Sequence, residues 1–285
     1  MRNIRAIFLC AGSNFRKWRK NPTIILMAVV WALFLISHFI EVPALCLQRG
    51  STMVPWLMPF ALIRPLNRFL FCVVLIVLFA QAPFSDISTP FAMIRTGRLS
   101  WFLGQILYVF GTSAIVTLFT FVCSALMTVP CMDPQLEWGP RLYRMILDVA
   151  LEGNGVAEPI MASYSVWEAL WQTAKLQFLT GVLIGSMILF FNMFRQGVGI
   201  LVASAAAAWS LFAMYGQGVY NYTRAIYQTA ILQWSSLFSL APIVERDGVV
   251  MREAVSTMSG LIAVFLIGSI ILYYKRDAHF NRSRF

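Results

Sequence analysis

Charge is scarce in this chain: 12% of its 285 residues are Asp, Glu, Lys or Arg, about half the share of an ordinary soluble domain. So little charge leaves a folded chain of this length without the polar surface that solubility requires. Histidine is limited to His38 and His279, a poor supply for a histidine-built metal site. The five cysteines (Cys10, Cys46, Cys72, Cys123, Cys131) form no C-x-x-C pair. That removes support for a zinc ribbon, a redox motif or a dense disulfide scaffold. No G-x-x-x-x-G-K-[ST] and no H-E-x-x-H occurs, so neither a phosphate loop nor zinc-protease ligands are offered. A serine–histidine membrane protease is disfavoured as well, because His279 falls in the C-terminal tail and His38 near the end of an apolar run. Catalysis by this chain alone is not expected, and no cofactor is expected to bind it directly.

Apolar residues fill the space that charge leaves. They make up 59% of the chain, with 14% aromatic, above the roughly 45–50% of globular proteins. The class expected is an all-α polytopic membrane protein of one transmembrane domain. A span needs about 20 mostly apolar residues, and six segments meet or approach that: 23–40, 67–82, 101–129, 173–194, 198–215 and 256–274. Asn21 and Pro22 supply an N-cap and a first-turn proline for the first. The second is short and is expected to extend outward through Arg64, whereas the third is long enough to tilt or project. No signal peptide is expected, since the run at Thr23 is long and lacks a small-residue cleavage site.

Six spans put both termini on one side. That side holds Arg2, Arg5, Arg16, Lys17, Arg19, Lys20, Arg95, Arg98, Arg195, Lys275, Arg276, Arg282 and Arg284, against Asp86 and Asp277 alone. Thirteen basic and two acidic residues give that face +11 and leave the other at −1, within a chain total of +10. The positive-inside rule makes that face cytoplasmic. The basic balance records topology in a plasma membrane and is no footprint of nucleic acid.

Between and beside the spans lie segments of other kinds. Residues 1–20 carry Ile4, Ile7, Phe8, Ala11, Phe15 and Trp18 at helical spacing, with Arg2, Arg5, Arg16 and Lys20 opposite. This predicts an amphipathic helix in the headgroup plane, either a plain anchor or one that also touches a cytoplasmic partner. In the loop 84–100, Thr89 and Pro90 can start a helix and Gly97 can end it. The helix expected, 90–96, presents Phe91, Met93 and Ile94 beside Arg95 and Arg98, and Ser100 is expected to cap the third span. Short exposed apolar helices have partners. In the outer segment 131–165, Leu142, Met145, Ile146 and Val149 predict one face of a surface helix. The outer segment 216–253 contains 225–240, too polar for a span and too apolar for a solvated loop, which predicts a re-entrant or interfacial stretch.

The middles of the six spans carry essentially no charge, so an ion-coupled transporter is disfavoured. His38 with Glu41, and Arg64 with Arg68, fall at outer ends, where snorkelling or local pairing is expected. Glu168, Gln172 and Lys175 form a stripe entering the fourth span from outside: either interfacial side chains of that kind or part of an outward-facing substrate exit. Gly181 and Gly185 make a G-x-x-x-G, and Gly197, Gly199, Ala203 and Ala207 give the fifth span a narrow face, which predicts close helix contact.

The order of a cytoplasmic amphipathic helix, six spans, a short helix between the second and third, and a membrane-dipping stretch before the sixth resembles the membrane subunit of a bacterial type-2 ATP-binding-cassette transporter. The stretch Pro90-Phe-Ala-Met-Ile-Arg-Thr-Gly-Arg-Leu-Ser-Trp101 is similar to the arginine- and glycine-containing loop of small permeases in that family. The resemblance implies a second permease subunit, identical or homologous, and a separate cytoplasmic ATPase that binds ATP and magnesium. It makes Pro90, Phe91, Met93, Ile94, Arg95 and Arg98 the coupling contact, and Ile4, Ile7, Phe8, Phe15 and Trp18 the connecting helix. Uncharged spans then suit export of an amphipathic or apolar cargo such as a peptide, lipid or drug. The alternative is a non-transport membrane assembly or immunity factor that binds a partner protein.

Overall fold

A computed structural model describes residues 2–84, 89–133, 137–138, 146–147, 149, 151, 157–215, 228–241 and 249–282. The helices in chain order are α1 (Arg2–Lys17), α2 (Pro22–Phe39), α3 (Glu41–Gln48), α4 (Pro65–Phe79), α5 (Thr89–Thr96), α6 (Arg98–Leu126), α7 (Glu158–Ser163), α8 (Val166–Asn192), α9 (Val198–Tyr215) and α10 (Met251–Arg282). Paired strand among the described residues amounts to a two-residue parallel ladder, Leu240–Ala241 with Val249–Val250, and an isolated parallel bridge between Met53 and Met132.

Four helical stretches are long and apolar enough to cross a membrane: Pro22–Gln48, Arg98–Leu126, Val166–Asn192 and Met251–Tyr274. The remaining two apolar helices, Pro65–Phe79 and Val198–Ala213, are shorter. The first stretch runs past the expected end at residue 40, because α3 continues α2 through Ile40. Asn21 caps α2 as its sequence predicts, its Oδ1 accepting from the Thr23 N–H at 3.0 Å with Pro22 in the first turn.

Helix α4 starts at Pro65 and stops at Phe79, short of the expected 82. A proline at 83 disfavours helical backbone at the residue before it, and the chain turns through Ala82 N–H to Phe79 C=O (2.9 Å). Fifteen residues rise about 22 Å against a hydrocarbon core of about 30 Å. The chain before α4 is irregular yet buried from Met53 to Ile63 apart from half-buried Trp56. Four successive carbonyls there are taken by side chains. His38 Nε2 donates to Phe60 O (3.0 Å), Asn67 Nδ2 to Ala61 O (3.1 Å), and Arg68 to Leu62 O (2.5 Å) and Ile63 O (2.8 Å). His38 and Arg68 therefore turn inward, contrary to the snorkelling expected of them. Buried carbonyls need donors, and these side chains are the donors within reach.

Helix α8 is the centre of the layer, buried along most of its length and packed on α4, α6, α9 and α10. The predicted close contact at Gly181 and Gly185 is internal: a Cβ on Gly181 would sit 2.8 Å from Ser113 Oγ, and one on Gly185 2.5 Å from a Val109 methyl. Ala203 and Ala207 are buried on the narrow face of α9, while Leu201 and Phe212 are exposed on its other side. The stretch 231–240 forms two 3-10 turns buried against α4, α8 and α9. Of the predicted outer surface helix, Leu142 and Met145 lie outside the described residues. Ile146 is buried and Val149 exposed, so those two do not share a buried face.

Candidate functional site

The sequence between α4 and α6 folds as a helix set between two breaks. Helix α5 ends where Gly97 takes a φ of +84°, a conformation that L side chains rarely adopt. The Gly97 N–H closes the last turn on Met93 O at 3.0 Å. Because that one residue reverses the chain, α6 begins at Arg98 with Gly97 as its N-cap, and Ser100 is buried inside the first turn of α6 rather than capping it.

Helix α5 rests on α1 and α6, and its contacts leave one face bare. Met93 packs toward the core and Thr96 Oγ1 accepts from Cys10 Sγ at 3.7 Å. Phe91 is 68% exposed and Ile94 83%, with Arg95 and Arg98 exposed beside them. The side chain of Pro90 lies outside the described residues. Two large apolar side chains held open by a short rigid helix, rimmed by guanidinium groups, form a surface suited to a groove with acidic edges.

The platform under α5 is α1 laid along α6. Ile7, Phe15 and Trp18 of the predicted interfacial set turn toward α6, together with buried Cys10, Ala11 and Asn14, while Ile4 and Phe8 stay exposed. Contact is close because Gly104 offers no side chain: a Cβ there would lie 2.6 Å from Cys10 Cβ. Asn14 Nδ2 donates to Gln105 Oε1 (3.1 Å), and Trp18 Nε1 donates to Tyr108 Oη (2.7 Å). The apolar periodicity of α1 omits Asn14 because a polar residue dilutes an apolar stripe. Its signal was the spacing of seven from Ile7, on the same face.

Two further polar residues fix the loop that leads to α5. Gln105 Oε1 also accepts from the Phe84 N–H (3.2 Å). Asn192, at the end of α8, donates through Nδ2 to Ala82 O (2.6 Å) and Ala80 O (3.4 Å), and its Oδ1 accepts from Gly199 N–H (2.9 Å) and Gly197 N–H (3.1 Å). Sequence reasoning passed over both, although each is an amide in an otherwise apolar run.

The outer stripe divides. Glu168 closes a capping box with Ser165, its carboxylate accepting from the Ser165 N–H at 3.1 Å. Gln172 and Lys175 join through Lys175 Nζ to Gln172 Oε1 at 3.0 Å. Lys175 lines an apolar groove of about 580 Å³ between α6 and α8, beside Trp56, Trp167 and Trp171. Glu168 is not among the described residues of that groove. Three or more His, Cys, Asp or Glu side chains grouped as metal ligands do not occur among the described residues. No family model, no curated protein and no solved structure matches the chain, so its function is read from the residues themselves.

Proposed function

We propose that the chain is the permease subunit of a type-2 ATP-binding-cassette exporter in a bacterial plasma membrane. The observation that carries the reading is α5: a short helix between two apolar helices, seated on α1 and α6, that leaves Phe91, Ile94 and Arg95 exposed. On this reading α4 and α9 join the four longer helices as six spans, both termini are cytoplasmic, and ATP hydrolysis takes place in a separate subunit docked on α5. A second permease subunit completes the path. The scarcity of charge inside the apolar helices suits an amphipathic or apolar cargo, and the Gln172–Lys175 end of the outer groove belongs to its exit.

The test compares wild type with a Phe91→Asp, Arg95→Glu variant, both purified from native membranes. Wild type is expected to carry a stoichiometric subunit with a phosphate-loop motif and ATPase activity. The variant should insert and elute as wild type does but lose that subunit and transport. Full transport by the variant refutes the docking role of α5. Reproducible absence of any such subunit from wild type refutes the permease reading and favours the assembly or immunity factor.

A further inference from the structure

We infer that the bend between α1 and α2 is a binding site for one anionic phospholipid, its headgroup at Lys17 and Arg19 and an acyl chain between α2, α4 and α6. Two cavities of unlike chemistry meet there. The first is a lateral groove of about 520 Å³, lined by apolar side chains that include Met27, Ala28, Trp31, Val74 and Phe119, with Arg19 as its charged member among the described residues. The second is a pocket of about 200 Å³ with a mixed lining whose polar members include Asn14, Lys17, Asn21, Gln81 and Tyr108. Trp18, Ile24 and Leu78 line both, so the two adjoin. A chamber with polar groups beside an apolar slot matches an amphiphile with one compact head and a chain.

Charge selects the class of head. Lys17 and Arg19 are both exposed, and no Asp or Glu is among the described residues lining either cavity. Lys17 Nζ donates to Asn14 Oδ1 at 3.4 Å, a bond that directs the ammonium to the pocket. The first turn of α2 opens into the same pocket through Asn21, Thr23 and Ile24, and its dipole adds to the positive field. The groove is flanked by exposed Ile25 and Val29 on a helix apolar enough to cross a membrane, so its mouth faces the acyl region. A lipid is therefore the occupant in place of a free anion. The site does not depend on the ATPase docking proposed for α5.

The experiment uses delipidated full-length protein in neutral detergent, with phosphatidylglycerol and phosphatidylcholine of identical chains. Retained lipids are counted by native mass spectrometry, and thermal unfolding is followed in parallel. Wild type is expected to bind phosphatidylglycerol roughly tenfold tighter than phosphatidylcholine at low salt, as two nearby cations imply. Lys17→Gln with Arg19→Gln should bring that ratio close to one, and Lys17→Arg with Arg19→Lys should restore it. Ala28→Phe should weaken both lipids while the unfolding midpoint without lipid holds; if that midpoint falls, Ala32→Leu serves as the second groove-filling variant. Glycerol phosphate alone should not stabilise the protein. Equal binding of both lipids by wild type overturns the proposal, as does a preference untouched by the double Gln variant. Stabilisation by glycerol phosphate matching that by the whole lipid overturns the groove's part in it.

Discussion

Replacing Asn192 tests whether the loop to α5 is fixed to the core. Its amide spans two pieces of chain: Nδ2 holds the carbonyls of Ala82 and Ala80, and Oδ1 holds the N–H groups of Gly199 and Gly197. Asn192 is buried, and truncation to Ala leaves the Ala82 carbonyl and the Gly199 N–H without donor and acceptor. Each such loss costs about 1–1.5 kcal/mol, and the two longer bonds add about 0.5 each. The sum is about 3 kcal/mol, a hundredfold change in the folding equilibrium. Asn192→Asp keeps the acceptor but sets a carboxylate against the Ala82 oxygen, so it must cost more than Ala. The assay is reversible unfolding in mixed micelles titrated with sodium dodecyl sulfate, read by tryptophan fluorescence. An Ala variant within 0.5 kcal/mol of wild type, or an Asp variant more stable than Ala, would refute the reasoning.

Arg68→Met in the same assay should lose at least about 4.5 kcal/mol, because bonds from a charged donor contribute about 1.5–3 kcal/mol each and those to Leu62, Ile63 and Ser239 all go. Arg68→Lys should fall between, since one ammonium cannot reach three directions held by a planar fork; a Met variant as stable as wild type sinks the carbonyl-capping role. Gln177 has the opposite sign. It is fully buried, and neither amide atom has a hydrogen-bond partner among the described residues, so Gln177→Leu should be neutral or stabilising by about 1 kcal/mol. A loss above 1 kcal/mol would show that its amide is paired in the membrane.

The helices were legible where a single residue governs the backbone. Asn21-Pro22 starts α2, Thr89-Pro90 and Gly97 bound α5, and the apolar lengths place α6 and α9 closely, whereas α8 begins at Val166, ahead of the expected 173, and α10 runs from Met251 to Arg282, past the expected 256–274 at both ends. Side-chain direction was less legible. The basic residues at 64 and 68 look alike in sequence, both beside an apolar run. Arg68 turns inward because the carbonyls it serves belong to 53–63, and an irregular buried stretch has no period to announce it. The G-x-x-x-G of α8 gave closeness without a partner, and the partner is α6 of the same chain. In the candidate site, exposure of Phe91 and Ile94 followed from pattern. Asn14, Gln105 and Asn192 did not, since an amide within an apolar run carries no sign of which backbone it will meet.

Those three amides decide how a displacement of α5 would travel. Phe84 is held by Gln105, which sits on α6 two turns after Gly97, and Asn14 ties α1 to the same Gln105. Helix α5, the end of its loop, α6 and α1 are thus linked as one group through short polar contacts. Ala80 and Ala82 are held instead by Asn192 on α8, the helix most enclosed by its neighbours. Helix packing of that density resists shear. A partner moving α5 therefore carries α6 and α1 along while the end of α4 stays with α8. The strain must concentrate between Ala82 and Phe84, the last points held on either side. On the permease reading, the Asn192 amide is the fixed end against which α5 moves, so Asn192→Ala should reduce coupling between ATP hydrolysis and transport more than Phe84→Ala does.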